Sequence, residues 1–282
     1  MCLIAFAIDA HPACPLLIAS NRDEFLERPT AALHRWQTAD GADVLAGRDL
    51  RDGGTWLGVS PGGRVAMLTN VRDALAATGQ RSRGELATRW LQGSLDWAAL
   101  QDSIDPDAYG GFNLVVGDFH QGFWSWLGNR HPQQAHNAQA ELHARRLPAG
   151  VYALSNATLG TPWPKTRLLT AALQASLGQS DQPHAVWLRP LTEALGDERL
   201  APDADLPQTG VPMDLERGLS SPFVRLPERG YGTRSSLVVR VTPAVEAKRW
   251  EVSLDEWTHR HEPAEATPIW DRATHRREWL QW

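Results

Sequence analysis

Runs of β-prone residues that come in pairs around a turn restrict this chain most, because antiparallel strands close over a short turn while parallel strands need a long crossover. Residues 3–8 and 16–20 flank Asp9-Ala10-His11-Pro12 and read as a first hairpin. Residues 55–59 and 65–69 stand around Pro61-Gly62-Gly63, residues 112–116 and 122–127 around a second polar turn, and residues 151–155, 235–241 and 247–252 add further strands. Helical patterns are fewer and lie between these blocks. Ser82-Arg83-Gly84-Glu85 has capping-box spacing ahead of residues 86–91, Pro164 precedes residues 165–177 with Leu168, Leu169, Ala172 and Leu173 on one face, and residues 184–195 form a third helix. Hairpins with intervening helices fit an α+β layered domain rather than a doubly wound parallel sheet. The Pro- and Asp-rich residues 201–212 read as a long surface loop or flap.

With 282 residues, 42% of them apolar and 22% charged, the chain buries a core easily. The expectation is a single domain over residues 1–282 with a Trp-rich C-terminal segment from about residue 253. A net charge of −5 and scattered arginines exclude a nucleic-acid surface and point to a small apolar molecule as ligand or substrate, with a homo-oligomer left open. The first apolar run ends at Asp9 without a basic flank, and no run of about 18 apolar residues occurs. The expectation is therefore a cytoplasmic protein with no membrane segment. Cys2 and Cys14 are too few for a disulfide framework, and the ten histidines show no metal-ligand spacing, so no metal is expected. Thirteen tryptophans are mostly core, with some left to line a pocket, and Trp257, Trp270, Trp279 and Trp282 either tie the C-terminal segment to the body or form a docking surface.

Cys2 directly follows the initiator methionine, so removal of Met1 would place a thiol and a free amine on one residue. An α-amine with an ordinary pKa near 7.7–8.0 can act as base toward its own thiol at neutral pH. The competing reading is a small apolar residue opening a strand. After the second strand stands Asn21-Arg22-Asp23-Glu24, where a hairpin returns to the level of Cys2. A carboxylate there would hold the ammonium and an arginine would favour the thiolate; the competing reading is a solvated charged turn. Asn70 and Asn156 close two other strands and can donate to a developing oxyanion, or are plain turn residues. Arg234 leads into a late strand and Arg72 follows Asn70, each adding positive charge at a strand end.

Cys2, Asn21-Arg22-Asp23-Glu24, Gly47-Arg48-Asp49, Gly53-Gly54-Thr55-Trp56-Leu57-Gly58, Thr69-Asn70-Val71-Arg72, Arg81-Ser82-Arg83-Gly84, Gly111-Phe112-Asn113-Leu114, Leu154-Ser155-Asn156, Trp163-Pro164-Lys165 and Tyr231-Gly232-Thr233-Arg234-Ser235 together resemble the NRDE family, whose animal members are called transport and Golgi organisation protein 2. The resemblance runs from Cys2 to about Ser235. It implies an N-terminal-nucleophile (Ntn) hydrolase fold, a four-layer αββα sandwich of two antiparallel sheets. A more distant similarity to choloylglycine and penicillin V acylases and acid ceramidase-like amidases implies catalytic roles for Cys2, Asp23, Asn70, Asn156 and Arg234, with Asn21, Arg22, Glu24 and Arg72 in support. One departure is visible: the acylases carry an arginine three residues before the aspartate, where this chain has Ser20. On a strand that spacing turns Arg22 to the opposite face and leaves Asp23 or Asn21 as the neighbour of Cys2. The implied reaction is hydrolysis of a non-peptide amide or thioester of a small apolar acyl group, without a cofactor. The alternative is a carrier of haem or a lipid-like ligand, with Cys14-Pro15 similar to a short haem-contact motif.

Overall fold

The computed structural model describes residues 2–72, 79–131, 140–244, 249–261 and 269–282, and Met1 and residues 247–248 of the expected late strand lie outside them. In chain order the elements are β1 (Cys2–Ile8), β2 (Leu16–Phe25), β3 (Thr30–Gln37), β4 (Asp43–Asp49), β5 (Leu57–Val59), β6 (Arg64–Asn70), α1 (Gly84–Leu91), α2 (Trp97–Asp102), β7 (Phe112–Asp118), β8 (Phe123–Gly128), β9 (His143–Arg146) and β10 (Gly150–Leu154). They continue with α3 (Pro164–Leu177), α4 (His184–Leu195), α5 (Met213–Gly218), β11 (Arg225–Leu226), β12 (Tyr231–Pro243), β13 (Trp250–Thr258) and β14 (Thr274–Gln281). No helix is long and apolar enough to cross a membrane among these residues.

The chain forms two compact units: Met1–Glu27, Ala149–Ser155 and Gly160–Gln281 make one, and Arg28–Pro148, Asn156–Leu159 and Trp282 the other. The first holds a seven-stranded sheet ordered β10-β1-β2-β12-β13-β14, with β11 paired to β12. Every strand pairing in it is antiparallel. Strand alternation sends Leu3, Ala5, Ala7, Leu17 and Ala19 to one face, where they pack with Leu169, Leu173 and Leu177 of α3 and Leu188, Leu191 and Leu195 of α4. Pro164 starts α3 at a position where its missing N–H costs nothing. The tail is part of this sheet: Trp257 of β13 joins the core under α3 and α4, and Trp270 packs against it.

The second unit holds a seven-stranded sheet ordered β3-β4-β5-β6-β7-β8-β9, again antiparallel, with α1 packed over β5, β6 and β7. Leu86, Ala87, Trp90 and Leu91 of α1 share a core with Ala66, Leu68, Leu114 and Val116. Trp282 is buried here and donates its indole N–H to Ser60 O at 2.9 Å. One sheet and one helical layer in each unit give the α+β, αββα layer content.

Two local expectations are corrected. The capping box at the head of α1 does not form: Arg83 occupies the cap position with its guanidinium on Gly111 O rather than on the helix's first N–H groups, and the Glu85 carboxylate is taken by the Tyr109 hydroxyl and by Arg81 at 2.6 Å. The second strand, expected over residues 16–20, runs on to Phe25, so Asn21-Arg22-Asp23-Glu24 lies inside β2, where β12 pairs with it on both sides of a register shift.

Candidate functional site

Hairpin register decides which side chains meet at the start of β1. Cys2 stands directly opposite Arg22, and Leu3 opposite Asn21, so Cys2 and Arg22 point to the same face and Asn21 to the other. The expectation that Arg22 turns away and that Asn21 or Asp23 flanks Cys2 on its own face is therefore corrected. The resemblance-based offset placed Arg22 by counting from Asp23, whereas facing is set by the partner across the ladder. Glu24, two residues on, shares the Arg22 face, with its carboxylate 3.7 Å from the Arg22 guanidinium.

Arg234 reaches the same neighbourhood through an irregularity. Thr233 pairs with Asp23 and Ser235 with Arg22, which leaves Arg234 as the extra residue of a β-bulge. Its guanidinium donates to Phe25 O at 2.8 Å. Burial pushes the Arg234 pKa down, Arg22 adds to that and Glu24 opposes it.

Cys2 is buried, and its carbonyl accepts a hydrogen bond from Ser155 Oγ at 3.2 Å. Burial pushes the thiol pKa up; the amino-terminal charge is the largest influence against this, the Asp23 charge adds to the rise, the Arg22 guanidinium opposes it and Glu24 adds a little more. Desolvation wins over both positive charges, so the resting group is a thiol rather than a standing thiolate. Attack would need a base.

On the opposite face the polar residues are tied to the scaffold. Asn21 Nδ2 donates to Leu195 O at 2.8 Å and Pro222 O at 3.0 Å, and its Oδ1 accepts from Ser236 Oγ at 2.6 Å. Asp23 Oδ1 accepts from Thr233 Oγ1 at 2.7 Å. Asn21 thus holds the strand rather than a ligand.

In the second unit, Asn70 ends β6 and meets Asn156. Asn156 Nδ2 donates to Asn70 O at 3.1 Å and Asn70 Oδ1 at 3.0 Å, while Asn156 O accepts from the Arg72 backbone N–H at 2.7 Å. The Asn156 amide hydrogens are thereby committed. Asn70 has its oxygen engaged, and its Nδ2 makes a long bond to Val71 O at 3.4 Å. Of the two asparagines, Asn70 is the one that keeps an N–H for another acceptor. Arg72 is buried.

Other motif residues hold the frame. Asn113 Nδ2 donates to Ala157 O at 2.7 Å and its Oδ1 accepts from Trp126 Nε1 at 3.1 Å. Asp49 ties the Arg51 and Asp52 backbone N–H groups and pairs with Arg28 at 2.6 Å. Lys165 is buried with its ammonium on Leu219 O at 2.9 Å. Cys14 is wholly buried in the core of the first unit, with Sγ 3.5 Å from Leu16 O. Sequence reasoning missed Ser155, Ser236 and Thr233, although Ser155 and Thr233 stood inside quoted motifs.

The family model for Transport and Golgi organisation 2 matches residues 1–256. The Bos taurus Transport and Golgi organization protein 2 homolog is 33% identical over 261 residues, covering 86% of this chain and 88% of its own length. The Homo sapiens homolog is 32% identical over 264 residues with the same coverage. A solved structure described as the Caenorhabditis elegans N-acylethanolamine-hydrolyzing acid amidase ortholog aligns with 13% identity and a TM-score of 0.48, covering 84% of this chain and 91% of that one. On the match over residues 1–256 and these identities, the chain belongs to the Transport and Golgi organisation 2 family.

Proposed function

We propose that the protein is a hydrolase of the N-terminal-nucleophile type, with Cys2 attacking a non-peptide amide or thioester of a small apolar acyl group. One observation carries the reading: Cys2 opens a central strand, is buried, and stands across the ladder from Arg22 with Glu24 and Arg234 in the same charge cluster. Because the thiol pKa is raised, the α-amine exposed by loss of Met1 takes the thiol proton as sulfur bonds to the carbonyl carbon. The amine then gives that proton to the leaving nitrogen, and water, deprotonated by the same amine, releases the acid from the thioester. The Asp23 charge raises the Cys2 thiol pKa further.

The test is Cys2→Ser on the Met1-processed protein, assayed with a panel of N-acyl amides and thioesters. The wild type is expected to turn over at least one substrate and the variant to lose it by about 100-fold or more, with binding retained. A second reading, ligand transport without turnover, takes its support from the names of the relatives. Haem and lipid titrations belong in the same experiment. A wild type that hydrolyses nothing and binds equally well in both forms would overturn the hydrolase in favour of the carrier.

A further inference from the structure

An unbroken line of hydrogen bonds runs behind β2, and the proton positions along it are determined. Asn21 spends both amide hydrogens on Leu195 O and Pro222 O, so its Oδ1 can only accept, and it accepts from Ser236 Oγ. The single hydroxyl proton of Ser236 is committed there. Its oxygen must then accept from His259 Nε2, 2.8 Å away, which makes the imidazole the Nε2–H tautomer. All three residues are buried. His259 Nδ1 is buried without a hydrogen-bond partner, against Phe223 with ring centres 4.9 Å apart and Trp270 at 5.4 Å.

His261 repeats the arrangement one step along. Its Nε2 meets Thr233 O at 2.7 Å, a carbonyl that can only accept, and Thr233 Oγ1 donates to Asp23. Its Cε1–Nδ1 edge lies on Gly232, where an added Cβ would fall 2.4 Å from the ring, so this position admits only glycine while the histidine stays in place. Both histidines lie beyond residue 256, where the family match ends.

We propose that His259 is a positioning residue: acting through Ser236, it fixes Asn21 and so holds β2 at the register that sets Arg22 opposite Cys2. The proposal rests on the reading of Cys2 as the reacting group. Burial, with His261 and Arg225 adding, pushes the His259 pKa down to about 3, so the direction of donation along the line does not change in the neutral range. Glu198 pairs with Arg225 at 2.8 Å and shares its charge.

Three variants of the full chain test this: His259→Gln, which keeps an N–H near the Nε2 position; His259→Leu, which fills the space without one; and Ser236→Ala, which cuts the middle of the line. The readout is the pH profile of Cys2 alkylation by iodoacetamide, followed by intact mass with Cys2→Ser as background. His259→Leu and Ser236→Ala are expected to raise the apparent thiol pKa by about half a unit, slowing alkylation near pH 7 about threefold, while His259→Gln follows the wild type. Equal profiles for His259→Gln and His259→Leu would reduce His259 to packing and overturn the proposal. So would three profiles identical to the wild type. Imidazole nitrogen NMR gives a separate check, since an Nδ1–H signal from His259, or titration near its ordinary value, breaks the line whatever Cys2 does. Neither readout uses turnover, so a protein that alkylates as expected yet hydrolyses nothing sinks the amidase and leaves the positioning role standing.

Discussion

Asn21 and Asp23 leave one face of β2 and end on neutral hydroxyls and carbonyls, while Arg22 and Glu24 leave the other and end among formal charges beside Cys2. Four adjacent residues of one strand thus do two kinds of work. Neutral hydrogen bonds in a buried setting are costly to break and have narrow geometry, which suits them to holding a strand. Charges act over distance and shift protonation, which suits the face that carries the thiol. In the NRDE run Asn21 is scaffold, Arg22 and Glu24 are an electrostatic environment, and Asp23 belongs to both, hydrogen-bonded to Thr233 while its charge still acts on the Cys2 thiol.

The strongest way to break this comparison is on the face of Asn21. Asn21→Ala leaves two buried carbonyls and one hydroxyl without their partner, and at about 1 kcal/mol each the loss should reach about 3 kcal/mol. Cys2→Ala removes only a sulfur atom and should cost about 1 kcal/mol or less. Denaturant unfolding of the two variants reads the difference directly, and equal losses would show that the faces are not divided in this way.

Acid gives an intermediate effect. Because the folded His259 pKa lies below its ordinary 6.5, the unfolded chain binds a proton that the folded chain refuses, and stability falls as pH drops from 6.5 toward about 3. The slope from this one group approaches about 1.4 kcal/mol per pH unit inside that window. In His259→Gln this part of the slope should vanish, as unfolding free energies near neutral pH and at about pH 5 would reveal.

The smallest expected effect sharpens the face of Arg22. Arg22 holds the Cys2 thiol pKa down against burial, so Arg22→Met should let it rise and slow alkylation near pH 7 about threefold, with little change in the midpoint of thermal unfolding. A faster reaction would mean that opening the site outweighs the lost charge.

Much of the frame was legible because apolar runs with turn residues between them have few other solutions. The β1–β2 hairpin, α3 and the full extent of α4 follow from pattern alone. The polar strands were not. Asn21-Arg22-Asp23-Glu24 reads as lying just beyond the second strand because its partners, Thr233, Ser235 and Ser236, lie more than 200 residues away, and no local signal announces that a polar residue will be satisfied from across a sheet. β14 hides for a related reason: Thr274-His275-Arg276-Arg277 is an edge strand largely open to solvent, so it carries no alternation. The facing of Arg22 was fixed by ladder register and the position of Arg234 by a bulge, and neither is encoded in spacing along the chain.

The two sheets also differ in how they are written along the gene. β3 to β9 occupy one uninterrupted stretch from Thr30 to Arg146, so their sheet can assemble as soon as that stretch has been made. The sheet around β1 is a scattered text: β1 waits for β10 at residue 150, β2 for β12 at residue 231, and the edge for β14, which ends at Gln281. At about 5–20 residues per second, synthesis from one end to the other takes roughly 15–55 s, and through that interval the amino terminus belongs to no finished sheet.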